Sequence, residues 1–182
     1  MINLVSTSPT RAKLLKESGF YFKQIKFDFN EIDIRETPPY LKPYKIAMQK
    51  QHQYRQFDKK SQNLLFADTL VLVGDIVLKK PKDEIEATKM LSLQSGNKVS
   101  ISTAMIFLGK ELNFWNLSLT TYEFYKFDQD ELHNYITSGG YKGKAGGMSI
   151  EGFNKKYIKS QSGNTSTAMG LNIEILRRYL CL

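Results

Sequence analysis

The sequence feature that constrains this chain most is the ten-residue run 64–73, LLFADTLVLV. All but one of these residues are uncharged and most are apolar, as in a β-strand that is buried on both faces of a sheet. Gly74 and Asp75 then turn the chain into a short apolar segment at 76–78. The run therefore predicts a strand in the interior of a sheet.

The exception within this run is Asp68, the most informative residue of the sequence. Burying a carboxylate without compensation costs several kcal/mol. A metal ion, an ordered water or a lysine would each stabilise the charge, and a structural hydrogen bond to the backbone is the alternative without a function. Because an isolated carboxylate on a buried strand indicates a functional site, Asp68 is the first candidate catalytic residue.

The other predicted elements alternate between helix and strand. Capping patterns mark three helix starts, at Ser8-Pro9, Asp83/Glu86 and Asp128/Glu131. The predicted strands are 2–6, 64–73, 76–78, 99–108, 112–125 and 157–159, and the predicted helices are 8–19, 41–57, 83–96, 128–139 and 172–180. Residues 141–153, with four glycines, are predicted to form a functional loop, and residues 160–167 a polar loop. This mixture predicts one α/β domain over residues 1–182, built on a mixed sheet.

The formal charge of +8 favours a polyanionic partner, whether nucleic acid, a membrane surface or a phosphorylated small molecule. The basic residues are spread along the chain as isolated pairs, with no block of five or six like charges. A compact phosphate-binding cleft suits this distribution better than a nucleic-acid arm. Each basic pair taken alone also fits a plain solvated surface.

Other features bear on where the chain works. No apolar run approaches the roughly 20 residues of a membrane span. The N-terminus lacks the basic opening and the longer apolar stretch of a signal peptide. The lone cysteine, Cys181, provides neither a disulfide framework nor a cysteine metal site. We therefore expect a cytoplasmic protein that does not enter the membrane.

The segment from Ser6 to Arg11, STSPTR, joins a predicted strand directly to a predicted helix. Backbone N–H groups, the hydroxyls of Ser6 and Ser8 and the positive end of the helix would converge there, which outlines an anion site. Arg11 supports this interpretation, because a cation in the first helical turn is slightly unfavourable unless an anion lies beside it. Since Ser-Pro at a helix start is common, a purely structural capping role is the alternative.

Two lysines lie at positions that restrict their reach. Lys80 follows a tight turn and precedes Pro81. Lys144 lies in GKAGG at 143–147, where the lack of side chains permits close approach to a ligand. The two histidines have no ligand spacing around them, and no serine or cysteine triad is legible. The remaining carboxylates and cations suit metal-assisted phosphoryl chemistry.

Taken in order, these motifs resemble those of the Maf family, the septum formation inhibitor Maf-like nucleoside triphosphate pyrophosphatases, over essentially the whole chain. The matching segments are Ser6–Arg11, Glu31, Ala47–Lys50, Ala67–Thr69, Lys79–Pro81, Ser95–Gly96, Thr103, Lys144–Gly146 and Gly170–Leu171. Thr10, Asn30 and Asn172 depart from the commonest family pattern, and none of them removes the proposed catalytic set.

The resemblance implies a curved mixed sheet with flanking helices, in two lobes around a central cleft, like that of the inosine triphosphate pyrophosphatases. It also implies a divalent cation, Mg²⁺ or Mn²⁺, that bridges the enzyme and a nucleoside triphosphate. Glu31 and Asp68 would hold this cation or activate water, with Asp68 favoured as the general base and Lys80 completing the catalytic set. The phosphates would be bound by the remaining polar residues of the motifs: Ser6, Ser8, Arg11, Lys50, Lys80 and Lys144.

The expected base preference depends on Glu151. Many family members that prefer thymidine and uridine triphosphates carry glutamine there, whereas the glutamate form is similar to the subfamily associated with 7-methylguanosine triphosphate. A carboxylate favours the adjacent N–H donors of guanine and is repelled by the two carbonyls that flank the single donor of uracil or thymine. We expect Glu151 to read a guanine-type base on which Phe153 stacks. A loop-capping role for Glu151 is the alternative.

Several alternatives stay open at this point. The rival from another class is a non-catalytic nucleotide- or nucleic-acid-binding regulator of cell division that uses its basic surface alone. For an enzyme, the choice between 7-methyl-GTP and dTTP, UTP or CTP is open, as is a role in limiting the incorporation of modified nucleotides. A homodimer is compatible with the sequence as well.

Overall fold

The computed structural model describes residues 1–30 and 37–180, which form a seven-stranded mixed sheet with helices packed against it. The strands are Ile2–Val5 (β1), Phe22–Ile25 (β2), Leu64–Val73 (β3), Ile76–Leu78 (β4), Lys98–Leu108 (β5), Asn113–Phe124 (β6) and Ile158–Ser162 (β7). The helices are Pro9–Glu17 (α1), Lys42–Phe57 (α2), Glu84–Gln94 (α3), Gln129–Thr137 (α4), Thr165–Ala168 (α5) and Ile173–Leu180 (α6). The predicted mixed α/β fold is confirmed.

The sheet places β3 in its interior. The strand order is β2-β1-β3-β5-β6-β7, and β4 pairs with the far end of β3. The β1 strand runs parallel to both β2 and β3, whereas the other pairs are antiparallel. In the register with β5, Asp68 lies opposite Ala104 and Thr69 lies opposite Thr103. On its other side β3 pairs with β1 at Leu64 and Leu65 and with β4 at 71–73. Asp68 therefore lies in the middle of the strand, where β5 is its one described strand neighbour.

The packing along β3 explains why its middle is accessible. Leu65 and Ala67 belong to a core cluster with residues of α1 and α6, and Phe66 belongs to a cluster with residues of α2. Val71 belongs to a third cluster, with residues of α3 and α4. Between these clusters, residues 68–70 are only half-buried. The prediction of a strand buried on both faces is therefore wrong at Asp68 itself, at the next two residues and at Val73, the last residue of the strand.

The helix starts follow the predicted capping chemistry. The side chains of Ser8, Asp83 and Asp128 each accept a hydrogen bond from the backbone N–H three residues later, at 3.4, 2.8 and 3.0 Å. Asn172 caps α6 in the same way, at 3.0 Å. The departure from the family pattern at Asn172 therefore supplies a helix cap of its own.

Two parts of the sheet edge differ from the prediction. The β2 strand was not expected, because its sequence FKQI is short and half-exposed and gains its structure from parallel pairing with β1. The predicted polar loop at 160–167 contains the end of β7 and the single-turn helix α5. Its residues are polar because β7 is an exposed edge strand, held by pairing with β6 rather than by burial.

No helix within residues 1–30 and 37–180 is both long and apolar enough to span a membrane.

Candidate functional site

A cleft of about 570 Å³ opens at the half-buried middle of β3. Its walls come from the β1–α1 connection, from the loop that contains residues 142–151, and from residues 168–170 that precede α6. Eight of the nine predicted site residues line this cleft: Ser6, Ser8, Arg11, Lys50, Asp68, Lys80, Lys144 and Glu151. The ninth, Glu31, lies outside the described residues.

Asp68 is paired with Lys50 across the cleft floor. The Lys50 Nζ donates to Asp68 Oδ1 at 2.7 Å, and the two side chains are only 22% and 16% exposed. Helix α2 packs across β3, which brings the lysine over the strand. Burial lowers the pKa of Lys50, and the attraction of Asp68 opposes that shift. A lysine is one of the partners that the sequence predicts for the carboxylate.

Arg11 is buried beside this pair and is held by three hydrogen bonds. Its Nε donates to the carbonyl of Gly170 at 3.0 Å, Nη1 to Ser6 Oγ at 3.3 Å, and Nη2 to Thr69 Oγ1 at 3.1 Å. Burial lowers the pKa of Arg11, while the charge of Asp68 acts in the opposite direction. A guanidinium has five N–H donors, so this side chain keeps donors for a ligand.

A chain of hydroxyl groups supports Arg11 from below. Thr103 Oγ1 donates to the carbonyl of Thr167 at 2.7 Å, and it lies 3.0 Å from Thr69 Oγ1. Because the single Thr103 proton is used on that carbonyl, the Thr69 hydroxyl donates to Thr103 and accepts from Arg11. The chain fixes the guanidinium relative to β3, β5 and α5. The sequence motifs contained both Thr69 and Thr103, and their support of Arg11 emerges only from the register of β3 with β5.

The β1–α1 connection is held from the opposite side by Gln24, a residue that no sequence motif indicates. Its Nε2 donates to the carbonyls of Ser6 and Ser8, at 2.8 and 3.3 Å. The N–H of Ser8 in turn donates to Ser6 Oγ at 3.2 Å. Gln24 lies on β2, a strand that the sequence did not predict. The residue was therefore missed for the same reason as the strand.

Lys80 and Lys144 enter the cleft from its exposed side. Both side chains are largely solvent-exposed, and the Nζ of Lys144 donates to the carbonyl of Gly140. Flexible, hydrated ammonium groups of this kind are free to move toward an anion that occupies the cleft.

Of the glycines near Lys144, Gly143 lines the cleft with open space around it, whereas Gly146 has a different role from the one expected. Gly146 has φ +64°, and a Cβ atom there would lie 3.2 Å from both the Val71 side chain and Gln94 Nε2. Its N–H donates to the carbonyl of Lys79 at 2.8 Å. At this position the absence of a side chain allows close packing against the core, not close approach to a ligand.

Glu151 is on the rim of the cleft and is paired with Lys13 of α1, whose Nζ lies 3.0 Å from Glu151 Oε2. The expectation that Phe153 stacks on a bound base is wrong. Its ring stacks on Tyr135, with centroids 4.7 Å apart, and it does not line the cleft. Apolar groups that do line the cleft include Phe29 and Met148.

The charge of the described lining is strongly positive. Five cationic side chains and two carboxylates line the cleft: Arg11, Lys50, Lys80, Lys142 and Lys144, with Asp68 and Glu151. Within residues 1–30 and 37–180, no three His, Cys, Asp or Glu side chains come together as a metal-binding group. The arrangement is that of a polyanion site with one carboxylate on its floor.

Comparison with known proteins supports the family resemblance that the motifs indicate. Residues 1–181 match a family model described as Maf-like protein. A relative from Nitratiruptor sp. is 44% identical over 178 residues, which are 97% of this chain and 96% of the relative. One from Campylobacter jejuni is 41% identical over 183 residues (99% and 100%), and one from Helicobacter pylori is 34% identical over 171 residues (94% and 90%). Each of the three is named nucleoside triphosphate pyrophosphatase.

The contact between Gly170 and Arg11 yields a prediction. Gly170 has φ +110°, and a Cβ atom there would lie 3.1 Å from Arg11 Nε. We expect Gly170→Ala to displace the guanidinium and to weaken binding of inorganic pyrophosphate by roughly tenfold or more, as measured by calorimetry.

Gly19→Ala is the matched control, because Gly19 has φ +80° but nothing lies within 4 Å of the added carbon. It shares the backbone strain and should leave pyrophosphate affinity unchanged. Equal loss of affinity in both variants would contradict the role assigned to Arg11.

Proposed function

The chain belongs to the Maf-like protein family, and from this premise we propose that it hydrolyses a nucleoside triphosphate to the monophosphate and pyrophosphate. Relatives at 41% and 44% identity carry the name nucleoside triphosphate pyrophosphatase. The observation that carries the proposal is the Asp68–Lys50 pair on the floor of a cleft in which the described cations outnumber the carboxylates by five to two.

The charge of the cleft suits a triphosphate. The described lining has five cations against two carboxylates, which leaves a net charge of +3 facing the ligand. Arg11 and Lys50 are the buried pair of cations, so they would bind phosphate oxygens in a desolvated setting where charge–charge attraction is strongest. Lys80 and Lys144 are more exposed and would bind the outer phosphates and the departing pyrophosphate.

In the proposed reaction, Asp68 acts as the general base. Its Oδ1 accepts the hydrogen bond from Lys50, which orients the carboxylate and leaves Oδ2 for a water molecule. In the proposed reaction this water attacks the α-phosphorus, its proton passes to Asp68, and the bond from the α-phosphorus to the bridging oxygen breaks. Pyrophosphate then leaves with its charge neutralised by the lysines. Positioning and electrostatic stabilisation supply most of the rate in such transfers.

The described donor set fits a divalent cation that arrives with its substrate. Mg²⁺ is commonly held by one or two carboxylates together with substrate phosphates, and Asp68 is the described carboxylate on the cleft floor. We propose that Asp68 and Glu31 hold Mg²⁺ or Mn²⁺, with Glu31 assigned from the sequence motif alone. Such a cation supplies Lewis-acid neutralisation of the phosphate charge when bound.

We propose that the preferred base is guanine-type, including 7-methylguanine, rather than uracil, thymine or cytosine. Glu151 lies on the cleft rim, where its carboxylate is able to accept the N–H groups of guanine. An enzyme with this preference would remove modified guanosine triphosphates before they enter nucleic acid.

A panel of substrates tests the activity and the base preference together. We expect 7-methyl-GTP and GTP to release pyrophosphate in the presence of Mg²⁺ faster than UTP, dTTP or CTP do, and we expect chelation of the cation to stop the reaction. The measurement separates pyrophosphate from orthophosphate among the first products. Orthophosphate as the first product would contradict the proposed reaction, and faster turnover of the pyrimidine substrates would contradict the base preference.

Asp68→Asn tests the proposed base directly. We expect kcat to fall by about 10²–10⁴-fold, because the amide cannot accept the proton of the attacking water. Asp75→Asn is the control, since Asp75 is exposed in the turn between β3 and β4. It should retain full activity. Circular dichroism and thermal unfolding would confirm that both variants fold. A non-catalytic binding protein would instead show no triphosphate turnover, either as the wild type or as the Asp75→Asn variant.

The lowered pKa of Lys50 predicts a pH effect. Because burial lowers this pKa from the ordinary value of 10.5, Lys50 loses its charge at a lower pH than a free lysine does. We expect kcat/KM, which reports the free enzyme, to fall on the alkaline side below pH 10.5. Lys50→Arg should move this fall to higher pH, because a guanidinium stays protonated there.

Lys45→Arg is the control for the pH profile. Lys45 is exposed on the same helix as Lys50 and does not line the cleft. An alkaline limb that stays in place in Lys50→Arg, or that moves equally in Lys45→Arg, would show that Lys50 is not the titrating group.

A further inference from the structure

One ion pair lies beside the rim of the cleft, and its lysine has no part in the chemistry described above. Lys13 Nζ donates to Glu151 Oε2 at 3.0 Å, and it lies 3.8 Å from Glu17 Oε1. Lys13 belongs to α1 and Glu151 to the glycine-rich loop at 141–153, so the pair links the helix to a residue that lines the cleft, although Lys13 itself does not line it. Both side chains are about half exposed, at 51% and 50%. Exposed pairs contribute little to stability, so stability alone does not explain this contact.

The pair presents a donor beside an acceptor. The Lys13 ammonium has three N–H donors and uses one on Glu151 Oε2, while no described residue donates to Glu151 Oε1. The hydrogen bond from Lys13 to Glu151 also raises the pKa of Lys13, which keeps the ammonium charged. An N–H donor and a carboxylate oxygen therefore lie side by side on the rim.

The bases differ in how they match such a pair. Guanine places its O6 acceptor next to the N1–H donor, so an ammonium and a carboxylate side by side complement it. Adenine presents an N6 donor, and cytosine an N4 donor, where guanine has O6. These two bases therefore place a donor against the ammonium and a ring acceptor against the carboxylate. Uracil and thymine match the pair at one carbonyl and the N–H, and place their second carbonyl toward the carboxylate.

We propose that Lys13 is a specificity-determining residue, which reads the O6 of a 6-oxopurine while Glu151 reads its N1–H. This inference rests on the proposed function and adds to it a second recognition group, carried by α1 and paired with Glu151. Recognition by Glu151 alone would select for the N–H donors of the base. Addition of Lys13 rejects adenine and cytosine as well, because an unmatched charged donor next to an N–H group is repulsive.

The turn that carries Glu151 is rigid enough for such recognition. Gly152 N donates to the carbonyl of Ser149 at 3.1 Å, and the N–H of Ser149 donates to Asn154 Oδ1 at 2.8 Å. Asn154 is fully buried, so the turn is anchored in the core. On the other wall, Lys13 lies two residues after the buried Arg11 on the same helix. Both reading groups are thus carried by fixed backbone.

Lys13→Met tests the proposal, with Lys16→Met as the matched control. Methionine keeps the length of the side chain and the helix propensity but removes the donor and the charge. Lys16 is exposed on the same helix and has no ion pair with a described residue, so its variant loses the same charge away from the rim. We expect Lys13→Met to lower the ratio of kcat/KM for GTP to that for ATP by about fivefold or more. Lys16→Met should leave this ratio unchanged.

A binding measurement makes the test independent of turnover. We expect Lys13→Met to weaken GMP binding relative to AMP binding by a similar factor, and the Lys13→Met/Glu151→Gln double variant to lose less than the product of the two single losses. A GTP to ATP ratio and a GMP to AMP ratio within twofold of the wild-type values would overturn the inference. Wild-type protein that binds GMP over AMP but releases no pyrophosphate would instead contradict the proposed function and leave the reading pair standing.

Discussion

The Asp68–Lys50 ion pair is the interaction on which the site depends. A carboxylate in the middle of an interior strand requires a partner or access to solvent. Lys50 is the partner, 2.7 Å away, and the strand is only half-buried at this point. The core clusters pack on either side of residues 68–70 and leave the strand half-buried between them. The ion pair therefore requires the open cleft, because closing the cleft would bury the pair and impose the full desolvation penalty on it.

The same desolvation makes the site ready for an anion. Burial lowers the pKa of both Arg11 and Lys50, and Asp68 is the anion that offsets this effect for each of them. One carboxylate shared between two buried cations leaves an excess of positive charge, which phosphate oxygens relieve when they bind. The hydroxyl chain from Arg11 through Thr69 and Thr103 holds the guanidinium in place before a ligand arrives. Such preorganisation reduces the reorganisation that accompanies phosphoryl transfer.

The sequence predicted the parts of this arrangement that have a local cause. Asp68 was identified from its contrast with the apolar residues around it, and the caps at Ser8 and Asp83 follow from the chemistry of free N–H groups at a helix start. The order of the motifs carried the family resemblance, and eight of the site residues predicted with its help line one cleft. Gln24 was not predictable in this way, because β2 is a strand through its pairing with β1 and has no pattern of its own. Two contacts join parts of the chain that are far apart in sequence, so no local pattern predicts them. They are the stacking of Phe153 on Tyr135 and the ion pair of Lys13 with Glu151.

In the proposed site, two elements each contribute one group that would bind phosphate and one group at or beside the rim of the cleft. Helix α1 carries Arg11 and Lys13, and the glycine-rich loop carries Lys144 and Glu151. Residues two apart on a helix point about 200° apart, so Arg11 is buried while Lys13 is exposed at the rim. The rim residues are free to change without disturbing the buried network, because they share its backbone but none of its hydrogen bonds. This separation gives a physical reason why one phosphate-cleaving framework can accommodate different bases.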